Sequence, residues 1–121
     1  MHELSICQAI VDQVERIAAD RRARGVGLIK VLLGPLAGVE PALLAHAFPL
    51  ATAGTIAADA VLALEVSPIK VRCRACGAET TAEINKLVCG ECGDWKTQIL
   101  SGDELLLASV ELELQEESEH V

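Results

Sequence analysis

The sequence predicts an α+β protein in which two helices lie on a small three-stranded sheet, with an inserted zinc-ribbon-like module. Three observations predict this fold: apolar residues recur at helical spacing near the N-terminus, aliphatic runs occur near residues 26, 60 and 104, and four cysteines stand in two close pairs. A chain of 121 residues has room for one full-sized core, so the cysteine-rich stretch must be a stapled insert.

The first predicted element is an amphipathic helix that begins almost at the first residue. Its apolar positions recur at steps of three and four, and polar residues occupy the other side. Charged residues from Asp20 to Arg24 and then Gly25 interrupt the pattern, so we expect the helix to stop near there. The apolar positions are Leu4, Cys7, Ile10, Val11, Val14, Ile17 and Ala18.

A strand and a second helix are predicted next. The run 26–33 contains only one polar residue, Lys30, which indicates a strand that is central or covered on both faces. Glu40 and Pro41 open a helix, because proline is tolerated in the first turn. We expect Pro49 to kink this second helix or end it early.

Two further strands are predicted, at about 60–66 and 104–114. The last strand alternates apolar and polar residues, which is typical of a strand with one face toward water. Its two faces are expected to consist of Leu106, Ala108, Val110, Leu112 and Leu114 on one side and of Ser109, Glu111 and Glu113 on the other.

The chain is expected to divide into an α/β base domain, residues 1–66 plus 101–121, and an inserted module, residues 67–100. The inserted module has little apolar material and cannot form a core unaided, so a bound metal must supply its folding free energy. The polar and acidic residues 115–121 are expected to be frayed.

The net charge of −8 disfavours nucleic acid and anionic membranes as partners, because both are bound through Lys and Arg. No apolar run approaches the roughly 20 residues that span a bilayer, and the N-terminus lacks the pattern of a signal peptide. We therefore expect a cytoplasmic protein whose partners are a cation or a basic protein surface.

Cys73, Cys76, Cys89 and Cys92 form two CxxC turns, each followed by glycine and separated by twelve residues. Each turn offers two thiolates, so the two turns complete a tetrahedron that leaves no open position for substrate. A redox dithiol, a rubredoxin-type iron centre and a pair of disulfides are the alternatives. Structural zinc is favoured, because two matched pairs exceed what one redox pair requires and a reducing compartment disfavours disulfides.

Three basic residues, Lys70, Arg72 and Arg74, crowd the first CxxC turn and form a local basic spot on an acidic protein. We interpret them as solvated side chains or as groups that neutralise the doubly negative zinc–thiolate cluster.

Several segments together resemble the HypA/HybF hydrogenase maturation factors, and their order and spacing agree across nearly the whole chain. The resemblance implies a non-enzymatic nickel metallochaperone for [NiFe]-hydrogenase, with nickel at Met1, His2 and Glu3 and zinc at the four cysteines. It also implies a maturation GTPase and the hydrogenase large-subunit precursor as partners, and sometimes the urease maturation machinery. The segments are Met1-His2-Glu3-Leu4-Ser5, Gly38-Val39-Glu40-Pro41, the two CxxC pairs and Ile99-Leu100-Ser101-Gly102-Asp103-Glu104-Leu105.

The implied nickel site is chemically coherent. The α-amine, the backbone nitrogen of His2 and its imidazole close fused chelate rings, and Glu3 adds a carboxylate oxygen or its amide nitrogen. Tetragonal N,O ligands favour Ni(II) or Cu(II) over the tetrahedral sulfur site that suits zinc. Without the resemblance, a single terminal histidine is more often an ordinary surface residue. Cys7 lies one turn from Glu3, but its place in the apolar stripe favours a buried core residue.

Two other functions compete with the metal carrier. A zinc-ribbon adaptor would bind protein or nucleic acid without a second metal, although the net charge of −8 weakens the nucleic-acid version. A thiol redox enzyme would work through one CxxC pair, and its thiols would react freely with zinc present. Thiolates in a closed tetrahedron are expected to resist such reaction.

Overall fold

The computed structural model describes residues 2–114. Strand β1 is central between β2 and β6 in one sheet, and β3 is central between β4 and β5 in another. Two helices, a three-stranded base sheet and a second small sheet that carries the cysteines confirm the predicted α+β class. The elements are α1 (Glu3–Asp20), β1 (Ala23–Leu33), a short 3-10 helix (Pro35–Ala37), α2 (Pro41–Thr52), β2 (Val61–Val66), β3 (Ile69–Cys73), β4 (Glu79–Ala82), β5 (Thr97–Ser101) and β6 (Leu105–Leu114).

The chain forms two compact units. Among the described residues, the first unit comprises 2–31, 40–64 and 107–114, and the second comprises 32–39 and 65–106. The first unit contains both helices, and the second contains β3, β4, β5 and the four cysteines. The boundary of the inserted module at 67–100 stays a prediction, and residues 115–121, which we expected to be frayed, lie outside the described residues.

Helix α1 follows the predicted apolar stripe. It ends at Asp20, because Arg22 adopts a left-handed conformation with φ 53° and the chain enters β1 at Ala23. Burial of one stripe explains why this helix is stable despite its polar opposite face. Its buried residues are Cys7, Ile10, Val11, Val14 and Ala18.

Helix α2 packs against α1 and does not end at Pro49. Of the two expected effects of Pro49, the early end is therefore wrong, and the kink stays a prediction. The helix continues to Thr52 with Pro49 inside it. Proline removes one N–H donor, and the carbonyl that loses this donor belongs to Ala45. Both Ala45 and Pro49 are exposed, so water can bond that carbonyl, while the buried Phe48 and Thr52 hold the last turn in place.

Strand β1 occupies the central position that its apolar run predicted, and it buries Val26, Ile29, Val31 and Leu33. In the edge strand β6, the side chains that are shielded from solvent differ from the predicted face.

In β6, Leu106 and Ala108 are exposed, whereas Leu105 and Leu107 are half-buried. Further along the strand the half-buried residues are Val110 and Leu112, so the alternation shifts by one residue between Leu107 and Val110. The run Leu105–Leu107 contains no polar residue to mark the outer face, so the sequence alternation could not indicate which leucines point inward.

No helix within residues 2–114 is long and apolar enough to cross a membrane.

Candidate metal centre

The second unit brings the four predicted cysteine ligands together. Their sulfur atoms all lie within 4.8 Å of one another, and the Cys73–Cys92 and Cys76–Cys89 sulfur pairs are each 3.6 Å apart. Zinc–sulfur bonds of about 2.3 Å in a tetrahedron require sulfur atoms about 3.8 Å apart. The four sulfur donors therefore fit one tetrahedral zinc ion.

The two CxxC turns have the same hydrogen-bond pattern. The Cys73 sulfur accepts backbone N–H groups from the residues two and three positions later, each at 3.3 Å. The Cys89 sulfur accepts the equivalent pair at 3.3 and 3.4 Å. N–H groups directed at a sulfur stabilise the thiolate form that a metal requires.

Glycine closes each turn. Gly77 and Gly93 have φ angles of 79° and 77°, a conformation that residues with a Cβ rarely adopt. Their N–H groups donate to the carbonyls of Cys73 and Cys89 at 3.0 and 2.9 Å. The glycine after each CxxC pair is therefore required by the backbone that directs both sulfurs to one side.

Backbone and thiol neighbours separate the acidities of the cysteines. The N–H groups of Cys92 and Glu91 lower the pKa of Cys89 to about 6. At Cys92 the N–H of Asp94 lowers the pKa, but the Cys73 thiol, burial and the other thiols together raise it to about 12. Metal binding at the cluster must therefore displace thiol protons, and acid opposes it.

Two threonines support the second CxxC turn, and the sequence patterns did not identify them. Thr80 on β4 accepts the Gly90 N–H at 2.8 Å, and Thr97 on β5 donates to the Leu87 carbonyl at 2.8 Å. A hydroxyl that binds a distant backbone group leaves no periodic signal in the sequence. These bonds fix the loop that carries Cys89.

Two of the three predicted nickel ligands, His2 and Glu3, lie at the start of α1. Met1 is outside the described residues. His2 is exposed and is the N-cap residue of α1, and its side chain makes no capping hydrogen bond. Glu3 is half-buried in the first helical turn. His46 is exposed on α2, and His120 is outside the described residues.

Cys7 is a core residue, as its place in the stripe predicted. Its side chain is 0% exposed, and its thiol donates to the Leu44 carbonyl at 3.4 Å. Burial, with a smaller effect from the charge of Glu3, raises the pKa of the Cys7 thiol. A buried thiol of raised pKa is a poor metal ligand.

Comparison with known proteins places nearly the whole chain in one family. A family model described as hydrogenase/urease nickel incorporation, metallochaperone, HypA, matches residues 1–112. The chain is 48% identical over 112 residues to the hydrogenase maturation factor HypA of Nitrosospira multiformis, covering 93% of this chain and 97% of the relative. It is 40% identical to the Aquifex aeolicus protein of the same name over 114 residues, covering 94% and 99%.

Solved structures share the fold. The solution structure of the nickel metallochaperone HypA from Helicobacter pylori superposes with a TM-score of 0.70 at 22% identity, covering 95% of this chain and 100% of that one. A second solution structure of a HypA protein gives a TM-score of 0.73 at 22% identity, covering 95% and 98%. The family is defined by metal incorporation and not by catalysis, so this protein is not an enzyme. The chain belongs to the HypA family of hydrogenase and urease nickel-incorporation metallochaperones.

Proposed function

We propose that this protein carries Ni(II) at Met1, His2 and Glu3 and delivers it for [NiFe]-hydrogenase maturation, while zinc in the four cysteines organises the inserted module. The observation that carries the proposal is the family match over residues 1–112. The chemistry of the protein is then ligand exchange, with nickel as cargo and zinc as a resident ion.

The start of α1 suits a removable nickel ion. The imidazole of His2 is exposed and is not used as a cap. The first N–H groups of any α-helix have no carbonyl four residues earlier, so the amides of His2 and Glu3 can be deprotonated without breaking a helical hydrogen bond. Nitrogen ligands in a tetragonal arrangement are the set that Ni(II) prefers.

The four cysteines suit a permanent zinc ion. Four thiolates close the tetrahedron, so no coordination position remains for a substrate. Both ions can therefore be held by one chain without competition, because thiolate sulfur selects zinc and the N-terminal nitrogen donors select nickel.

We further propose that the nickel passes to a maturation GTPase and from there to the precursor of the hydrogenase large subunit, or to the urease maturation machinery, in the cytoplasm. The family description, which joins hydrogenase and urease nickel incorporation, supports both destinations. An exposed chain terminus favours transfer, because a partner can replace the ligands one at a time.

His2→Ala and a variant with one glycine placed before Met1 test the nickel site. Both changes remove or displace a chelate ring, so nickel binding measured by equilibrium dialysis of the untagged protein is expected to be lost in each. His46→Ala is the matched control, because it removes an exposed histidine from α2, and it should bind nickel normally. Nickel binding that survives both N-terminal changes would refute the site.

The same measurement separates the carrier from a zinc-ribbon adaptor. An adaptor retains zinc and ignores Ni(II) even when its native first residue is free. In the carrier, the two N-terminal variants lose nickel and keep one zinc ion per chain, because the four sulfur ligands are remote in sequence from residue 2.

A further inference from the structure

Two basic residues are backbone neighbours next to the cysteine cluster. Strands β3 and β5 pair antiparallel, with Arg72 opposite Gln98 and Cys73 opposite Thr97. The next pair in this register is Arg74 and Lys96, and the Arg74 N–H donates to the Lys96 carbonyl at 2.8 Å. Both residues lie one position beyond the ends of these strands and both are exposed, so two cations stand on neighbouring backbone positions at this end of the sheet.

This arrangement is unfavourable for the isolated protein. Like charges directly opposite each other across a strand pair destabilise it. The nearby Arg72 is paired with Glu79 at 2.6 Å, but among residues 2–114 no carboxylate forms an ion pair with Arg74 or Lys96. The Asp94 carboxylate instead accepts the backbone N–H of Lys96 at 2.8 Å.

An exposed tryptophan adjoins Lys96. Trp95 is 75% exposed, and the Lys96 ammonium lies 5.9 Å from the centre of its ring. Tryptophan and arginine are the residue types that most often anchor protein interfaces. An exposed aromatic ring beside Lys96, together with Arg74, offers an apolar contact and two charged hydrogen-bond donors to one ligand.

The charge of the chain is segregated around this face. Residues 67–100 carry five basic and four acidic residues, whereas the whole chain has a net charge of −8, which leaves −9 for the remainder. A nucleic acid that follows a basic track needs many phosphate contacts and would be repelled by the rest of the chain. A short carboxylate-rich segment needs only the local pair.

We propose that Arg74, Trp95 and Lys96 form a docking surface for an acidic segment of a partner protein, with carboxylates on the two cations and an apolar side chain on the indole. The simpler role, neutralisation of the zinc–thiolate cluster, explains the face less well. Within β3, Cys73 is buried and Arg72 before it is exposed, so the Arg72 side chain leaves the sheet on the side opposite to that sulfur. Arg74, just beyond the strand, is exposed as well.

The experiment uses full-length, zinc-loaded protein and a short polyglutamate peptide that contains one central leucine. Trp95 is the only tryptophan, so its fluorescence reports binding directly. We expect saturable binding at low salt that weakens as salt is added. Arg74→Gln/Lys96→Gln should weaken binding by about tenfold or more, because two charge-assisted contacts are lost.

The matched control is Arg21→Gln/Lys86→Gln, which removes two exposed positive charges elsewhere and should change binding by less than about twofold. Equal weakening in both double variants would overturn the proposal, since the peptide would then sense only net charge. Tighter binding of oligothymidylate than of the peptide would also overturn it in favour of nucleic acid.

Zinc retention separates docking from neutralisation of the cluster. If Arg74→Gln/Lys96→Gln loses zinc to a chelator at concentrations that leave the unsubstituted protein loaded, the two cations serve the metal and the proposal fails. Retained zinc with lost peptide binding supports it. Because the nickel ligands are not involved, this result is independent of whether nickel binds at residues 1–3.

Discussion

Gly34 and Gly102 approach each other so closely that neither can carry a side chain. A Cβ on Gly34 would lie 2.1 Å from the Gly102 carbonyl oxygen, and one on Gly102 would lie 2.8 Å from a side-chain carbon of Ile69. Backbone hydrogen bonds hold this contact, from Gly34 N–H to the Glu104 carbonyl and from Leu36 N–H to the Gly102 carbonyl, each at 2.7 Å. The glycine of the Ser101-Gly102-Asp103-Glu104 segment is therefore a packing requirement.

Gly34→Ala is expected to lower the free energy of unfolding by about 1–3 kcal/mol, because the obstructing atoms are backbone and cannot rotate away. Gly34 has an ordinary φ of −90°, so the loss measures packing and not backbone strain. Gly27→Ala is the control: the nearest atoms to its Cβ would be 3.8 Å away, and stability should not fall. Urea denaturation of both variants checks this. A Gly34→Ala protein as stable as the unsubstituted protein would contradict the packing argument.

Glu104 supports the same junction through its side chain. Its carboxylate accepts the Ser67 hydroxyl at 2.6 Å and the Gly102 N–H at 2.9 Å. The Ser67 hydroxyl, followed by the Gly102 and Glu104 N–H groups, lowers the pKa of this carboxyl. A carboxyl whose pKa is lowered by folding stabilises the folded state at pH values above its ordinary pKa of 4.5. This stabilisation is lost as the pH falls below 4.5.

Glu104→Gln is therefore expected to lower the urea midpoint at pH 6, and the difference from the unsubstituted protein should shrink as the pH falls below about 4.5. Asp103→Asn, which removes a carboxylate at the exposed neighbouring position, is the control and should leave the urea midpoint at pH 6 close to that of the unsubstituted protein. A difference between Glu104→Gln and the unsubstituted protein that stays constant across this range would show that the carboxylate charge is not what stabilises the junction.

At the scale of elements, the second sheet has only a small apolar core. Its buried apolar side chains are Ile69 and Val71, and the buried Cys73 and Cys89 add only their sulfur atoms. Such a core cannot offset the chain entropy of ordering the module, so bound metal must supply folding free energy.

Cys76→Ala is expected to abolish stoichiometric zinc and to collapse the dispersed amide NMR signals of residues 67–100, while α1 and α2 keep theirs. Cys7→Ala is the matched control, because it removes a buried cysteine of the first unit and leaves zinc content unchanged. Loss of all dispersed signals in Cys76→Ala would show that the base and the module do not fold separately.

At the scale of the whole molecule, two metals are expected to bind independently. The sulfur cluster lies in the second unit, and His2 and Glu3 lie in the first. Cys76→Ala should therefore still bind one Ni(II) per chain, and the His2→Ala protein should still contain one zinc. Metal analysis after nickel exposure and gel filtration measures both, and loss of both ions in either variant would indicate a single shared site.

The features that short-range chemistry controls could be predicted from the order of the residues alone. Helix α1, the central strand β1 and the four clustered sulfur ligands followed from spacing, because period and ligand geometry are local properties. The buried Cys7 followed from the same stripe.

The features that depend on neighbours distant in the sequence required the three-dimensional structure. Helix α2 continues past Pro49 because Ala45 and Pro49 are exposed, so water can bond the Ala45 carbonyl that loses its N–H donor. Leu105 and Leu107 are half-buried and Leu106 is exposed, although the uniform apolar run did not indicate which of these leucines face inward. The opposed Arg74 and Lys96, separated by 22 positions in the sequence, meet only because β3 and β5 pair in one register. Register is set by the packing of whole strands, and no local pattern encodes it here.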